Sequence, residues 1–210
     1  MISLVILNNI FQICRKIIMK ILLSLTISFL CCLSALAFDP VEYFNAGNPI
    51  KYCGTKYYLA WTANPVDNYY VQEYLPKGES LEHYNQMFSV SVTFCEELPL
   101  ESVNAKIYEL DQRKQTDPIT NYTMAENNGD YILEFIVSDS PSGTFSTVEV
   151  DVHYYRQMTI NGRNAIVLCF YSSRAYGDDI KPFIMSIPGK RVSWYEEMSK
   201  LKINPTFSQK

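Results

Sequence analysis

Two Asn-Gly pairs, Asn128-Gly129 and Asn161-Gly162, constrain the fold of this 210-residue chain more than any other feature. Asn and Gly tolerate the positive φ angles of a two-residue type I′ turn. Such a pair between segments of strand-forming residues therefore predicts a tight β-hairpin. Residues 119–125 and 131–137 flank the first pair, and 147–159 and 164–172 flank the second. Four consecutive strands joined in this way need no crossover, so they make an antiparallel sheet.

Upstream, residues 56–62 and 69–75 read as two strands around the turn-rich Ala63-Asn-Pro-Val-Asp-Asn68, behind an extended lead-in over 38–54. Ser80 is placed to cap a short helix over 81–87, after which Phe88, Val90, Val92 and Phe94 alternate with small polar residues as a half-buried strand. Pro99 opens a helix to about Lys114 with Leu100, Val103, Ile107 and Leu110 on one stripe. A polar loop occupies 138–146, and 180–187 takes no assignment. Pro188 to Lys202 reads as a closing helix with Val192, Tyr195, Met198 and Leu201 inward. The expected architecture is α+β: about seven mainly antiparallel strands with two to three packed helices, in one domain over residues 38–210.

Residues 1–37 read as a leader. Lys20, the apolar run Ile21–Leu33 and the small-residue motif Ala35-Leu36-Ala37 form an export signal cleaved after Ala37. Met19-Lys20 directly before the apolar run makes Met19 the expected start of translation. The run is shorter and more polar than a membrane-spanning helix requires, so no span is expected after cleavage. The expected location is the periplasm or the outside of the cell. Arg15, Lys16 and Lys20 leave with the leader, so the 18 basic residues become 15 against 22 acidic ones. That balance argues against nucleic acid as a partner.

Cys53, Cys95 and Cys169 remain, which permits at most one internal disulfide, with Cys53 and Cys95 as the candidate pair. Cys169 lies in the apolar run Ala165–Tyr171 and reads as a small core hydrophobe. No zinc-ligand spacing, nucleophile elbow or phosphate-binding glycine loop occurs, so neither metal nor cofactor is expected.

Glu149, Asp151 and His153 share one face of a strand, opposite the valines. A carboxylate beside an imidazole can orient a general base, which leaves open a hydrolase using Asp151 and His153; the other reading is a polar row facing solvent. The sixteen tyrosines include the pairs Tyr57-Tyr58, Tyr69-Tyr70 and Tyr154-Tyr155. Each pair sends one ring to each face of its strand. Outward rings at Tyr58, Tyr70 and Tyr155, with His153, could meet a protein, a glycan or an apolar ligand; otherwise they are cross-strand partners within the sheet. The sequence thus favours an exported, non-enzymatic binding or accessory protein.

Tyr69–Met87, with its Pro76-Lys-Gly-Glu79 turn, resembles small exported bacterial proteins of unknown function, as do Ile180-Lys-Pro-Phe183, Pro188-Gly-Lys-Arg191 and Trp194. The element order is similar to the PsbP-like fold. That resemblance implies an antiparallel sheet between helices and carries over no catalytic residue.

Overall fold

Both Asn-Gly pairs are two-residue turns. Asn128 and Gly129 have φ of 54° and 82°, Asn161 and Gly162 of 51° and 75°, the left-handed values that a type I′ turn needs. The computed structural model describes residues 40–139 and 145–207. The first turn joins β5 (Asn121–Asn127) to β6 (Asp130–Ser138), and the second joins β7 (Thr147–Ile160) to β8 (Arg163–Tyr176). Upstream lie β1 (Ile50–Tyr52), β2 (Thr55–Val66), β3 (Tyr69–Leu75) and β4 (Gln86–Phe94). The eight strands form one antiparallel sheet in the order β1-β2-β3-β4-β8-β7-β6-β5.

The eighth strand is β1, within the stretch expected to be only a lead-in. A third left-handed turn at Cys53-Gly54 (φ 46° and 78°) pairs it with β2. Cysteine at the first turn position hides this hairpin from a search for Asn-Gly. β2 also runs past its expected end, because a register shift between Ala63 and Val66 absorbs Asn64-Pro65. Proline is tolerated at such a bulge. Asn64 Nδ2 secures it by donating to the carbonyls of Val66 and Tyr69 at 2.6 and 2.8 Å.

The helix expected over 81–87 is absent. Glu79 Oε2 accepts the backbone N–H groups of Asn85 and Gln86 at 2.8 and 3.0 Å, and Ser80 Oγ accepts that of His83 at 3.2 Å. Side chains therefore satisfy the backbone that a helix would have satisfied, and Met87 joins β4.

Among the described residues, two α-helices cover the sheet. Helix α1 (Pro99–Arg113) starts with Glu101 Oε2 accepting the Leu98 N–H at 3.0 Å. It buries Val103 and Leu110 against Leu133, Phe135, Tyr155 and Ile166, leaving Leu100 out of the stripe and exposed. Helix α2 (Ile180–Ser199) begins eight residues before the expected start, after a 3₁₀ turn over Gly177–Asp179, and Pro188 lies inside it. Proline is favoured at the first turn of a helix, which is why the sequence pattern placed the start there. The buried stripe is Ile180, Ile187, Trp194 and Met198, so Val192, expected inward, is 65% exposed.

α2 packs against the opposite sheet face, where Val150, Val152, Tyr154, Cys169 and Tyr171 meet Ile187, Trp194 and Met198. It is locked there by charge: Arg191 Nη2 and Nε donate to Glu134 Oε1 at 2.6 and 2.7 Å. The same face is extended by Phe44, Ile203 and Phe207, brought together by the Asn45–Thr206 bridge. Beneath Phe44 lies the fully buried Gln72. Its Oε1 accepts the N–H groups of Tyr43 and Phe44 at 2.8 and 3.2 Å, and its Nε2 donates to Phe44 O and Tyr74 Oη at 3.1 and 2.6 Å. Gln72→Leu would strand all four of those partners. Each lost bond costs about 1 kcal/mol, so we expect a loss of about 4 kcal/mol, read as a lower urea midpoint at unchanged slope.

Candidate functional site

Because α1 and α2 cover opposite faces, β7 is buried on both sides. The row Glu149–Asp151–His153 therefore does not face solvent: Asp151 is 6% and His153 9% exposed, beneath α1. Tyr155, expected outward, is buried there too, and His153 Nδ1 lies 2.9 Å from its hydroxyl. The imidazole is flanked by Phe135 and Phe170 at ring-centroid distances of 4.8 and 5.0 Å. Burial, and then the Lys106 charge, hold it well below the usual histidine range. Burial, and then Glu149, push the Asp151 carboxyl well above its ordinary value, with the Lys106 charge, a hydrogen bond from Ser172 and the Arg174 charge opposing. Both groups thus favour their neutral forms. The imidazole is oriented by Tyr155 rather than by Asp151, so the dyad that a hydrolase reading needs is not assembled.

The other predicted residues are dispersed. Tyr58 is half-buried, with the Lys77 ammonium 5.1 Å from its ring centroid. Tyr70 lies on the α2 side, against Tyr43, Phe94 and Phe207. Cys53 and Cys95 are free thiols, one packed on the α2-side cluster and the other on the α1-side cluster; the candidate pair is not joined. Cys169 is fully buried, and burial pushes its thiol up to about 12. Most of the expected loop over 138–146 lies outside the described residues. Among those described, no group of three His, Cys, Asp or Glu could hold a metal, and no helix is long and apolar enough to cross a membrane.

A different grouping emerges along the sheet. Residues opposite one another in an antiparallel ladder point to the same face. Trp61 pairs with Glu73, Glu73 with Ser89, Ser89 with Phe170, and Phe170 with His153. This row crosses the α1-side face from β2 to β7. The neighbouring row runs Val71–Ser91–Leu168–Tyr155. α1 covers the β6 and β7 end, and Leu81 and Tyr84 pack beside Leu75, Met87 and Phe170.

Between those covers, short side chains form a floor beneath longer ones. Ser89 and Ser91 are 1% and 7% exposed, while Trp61, Val71, Glu73, Leu168 and Phe170 remain half-buried. Ser89 Oγ is buried on this face without a hydrogen-bond partner, whereas Asp151 and Ser172, direct cross-strand neighbours, answer one another. Buried polar atoms are nearly always paired, so the lone Ser89 hydroxyl at the centre of this face is unusual. Burial alone pushes the Glu73 carboxyl up to about 7. Strongly shifted groups of this kind concentrate at functional sites.

A family model matches residues 44–203, from Phe44 through the sheet and both helices to Ile203. The chain belongs to this uncharacterised protein family. No curated protein and no solved structure matches it. The matched span includes every residue of the face just described, from Trp61 to Phe170.

Sequence reasoning missed Trp61, Glu73 and Ser89. Glu73 sits in Tyr69-Tyr-Val-Gln-Glu-Tyr-Leu75 like any polar residue on a half-exposed strand. The available signal was the alternation Ser89, Ser91, Thr93 on a strand that proves central, where polar residues on the second face call for an explanation.

Proposed function

We propose that this chain is an exported, non-enzymatic binding protein whose ligand seat is the partly uncovered sheet face around Ser89, bordered by Trp61, Glu73 and Phe170. One observation carries the reading: the Ser89 hydroxyl, buried yet unpaired, shares a face with half-exposed aromatic and aliphatic side chains. Ligand sites combine apolar walls with a few convergent polar groups in this way. The leader-like pattern over 18–37 supports export to the periplasm or beyond, with the mature chain starting at Phe38. The element order supports kinship with the PsbP-like fold.

The test uses an amphiphile below its critical micelle concentration. Trp61 lies on this face, whereas Trp194 is 3% exposed in the opposite core, so fluorescence changes lost in Trp61→Phe report the site. We expect 1-decanol to give saturable, Trp61-dependent changes, and amide shifts in β3, β4 and β8. Shifts confined to the outer face of α2 would overturn the reading.

A further inference from the structure

Glu73 is the acidic side chain in the middle of this face, and no basic residue among those described answers it. The cations of the α1 side are committed elsewhere. Lys106 bonds Glu109 at 3.0 Å and lies 5.1 Å from the Phe135 ring centroid. Arg174 is held by Glu149 at 2.5 Å and lies over the Tyr84 ring, and Lys77 lies over Tyr58. No salt bridge to Glu73 occurs among the described residues. A carboxylate whose only task is to keep the surface wetted would stand in water, where it costs nothing; desolvated and unpaired, it weakens the fold.

Its surroundings supply the rest of a recognition site. Trp61 is its direct neighbour on β2, and Ser89 its direct neighbour on β4. The indole offers a π face, and the Ser89 hydroxyl, 1% exposed and without a partner, offers a hydrogen-bond acceptor on the floor. Carboxylate, indole face and hydroxyl acceptor all complement a positively charged nitrogen on an otherwise apolar molecule. Val71, Leu168 and Phe170 complement its hydrocarbon part.

We propose that this face selects amphipathic organic cations, with Glu73 as counter-ion, Trp61 as the π surface and the Leu168–Phe170 side as the seat of the hydrocarbon. The proposal rests on the ligand seat argued above and adds the class of ligand that occupies it. No covalent step is involved.

The experiment compares decylamine with 1-decanol, which share a chain and differ in the charged head, at pH 8 on the protein without its leader. Trp61 fluorescence and calorimetry report binding. A desolvated ion pair with an aromatic neighbour should give the amine about a tenfold or greater advantage. Glu73→Gln should erase that advantage, so that the variant no longer distinguishes the amine from the alcohol. Glu73→Asp, which keeps the charge, should retain part of it. Equal binding of the two probes overturns the cation assignment and leaves the ligand seat standing. Failure of both probes to perturb Trp61 overturns the seat, and the cation assignment with it. An amine preference that persists in Glu73→Gln also overturns the assignment, because the counter-ion then lies elsewhere.

Discussion

Glu73→Gln should make the protein more stable at pH 8 while leaving its stability near pH 4 almost unchanged. The Glu73 carboxyl is pushed from an ordinary 4.5 up to about 7 by burial. Between those values the folded state holds a proton that the unfolded chain releases. The resulting stability is fully present below about pH 4.5 and is lost as pH rises through 7. Each unit of separation corresponds to about 1.4 kcal/mol, so wild type should lose about 3–4 kcal/mol across that window. Glutamine occupies the same volume, cannot ionise and escapes the loss. Asp151 and His153 also titrate, but they do so in both proteins, so the difference between the two denaturation curves isolates Glu73. A difference that stays flat from pH 4 to pH 8 would show that the carboxylate is solvated in the folded protein.

Arg191→Met should have a large effect of the opposite sign. Glu134 sits at 3% exposure in the middle of β6, and its charge is met by Arg191 from α2 at 2.6 Å. Removing one partner of a buried pair leaves the other desolvated and uncompensated, which costs about 3–5 kcal/mol. The Arg191 side chain is 47% exposed, so water reaches part of the pair and the expected loss falls to about 2–4 kcal/mol. Glu134→Leu with Arg191→Leu should recover much of it, because no charge is then left behind. Equal losses in the single and double variants would show that packing of the arginine stem, rather than charge, holds α2 in place. Urea denaturation of all three proteins distinguishes these results.

Glu73 and Glu134 are both glutamates on antiparallel strands, with opposite energetic roles. Glu134 faces α2, whose arginine repays its desolvation. Glu73 faces the part of the sheet that α1 leaves half-covered, and no cation among the described residues reaches it. A face that keeps an unpaired carboxylate carries a cost in stability, and natural proteins accept such costs mainly where function requires them.

Much of the architecture was legible in the residues. Asn128-Gly129 and Asn161-Gly162 demand left-handed backbone at both turn positions, and that local requirement determines two hairpins wherever they occur. Val103, Ile107 and Leu110 determine the buried stripe of α1 by spacing alone. Cys53-Gly54 hid β1, because cysteine is not a residue that signals a left-handed turn. Pro188 hid the first two turns of α2, because proline marks helix starts more often than helix interiors.

The site was far less legible. Asp151, His153 and Tyr155 read as the outer side of a strand because alternation defines two faces without saying which are covered. Only the tertiary structure places α1 over that side, turning a polar row into a buried and neutral one. Likewise, nothing in the local sequence of Glu73 distinguishes it from a solvated carboxylate. Its character comes from Trp61 on one neighbouring strand and Ser89 on the other, and from the absence of a nearby cation among the described residues. Turn chemistry and hydrophobic spacing act over a few residues, and so the sequence by itself determined hairpins, strand alternation and the α1 stripe. Burial and charge pairing act across strands distant in the chain, so the covering of each face, the lock of α2 and the isolation of Glu73 were decided by the tertiary structure.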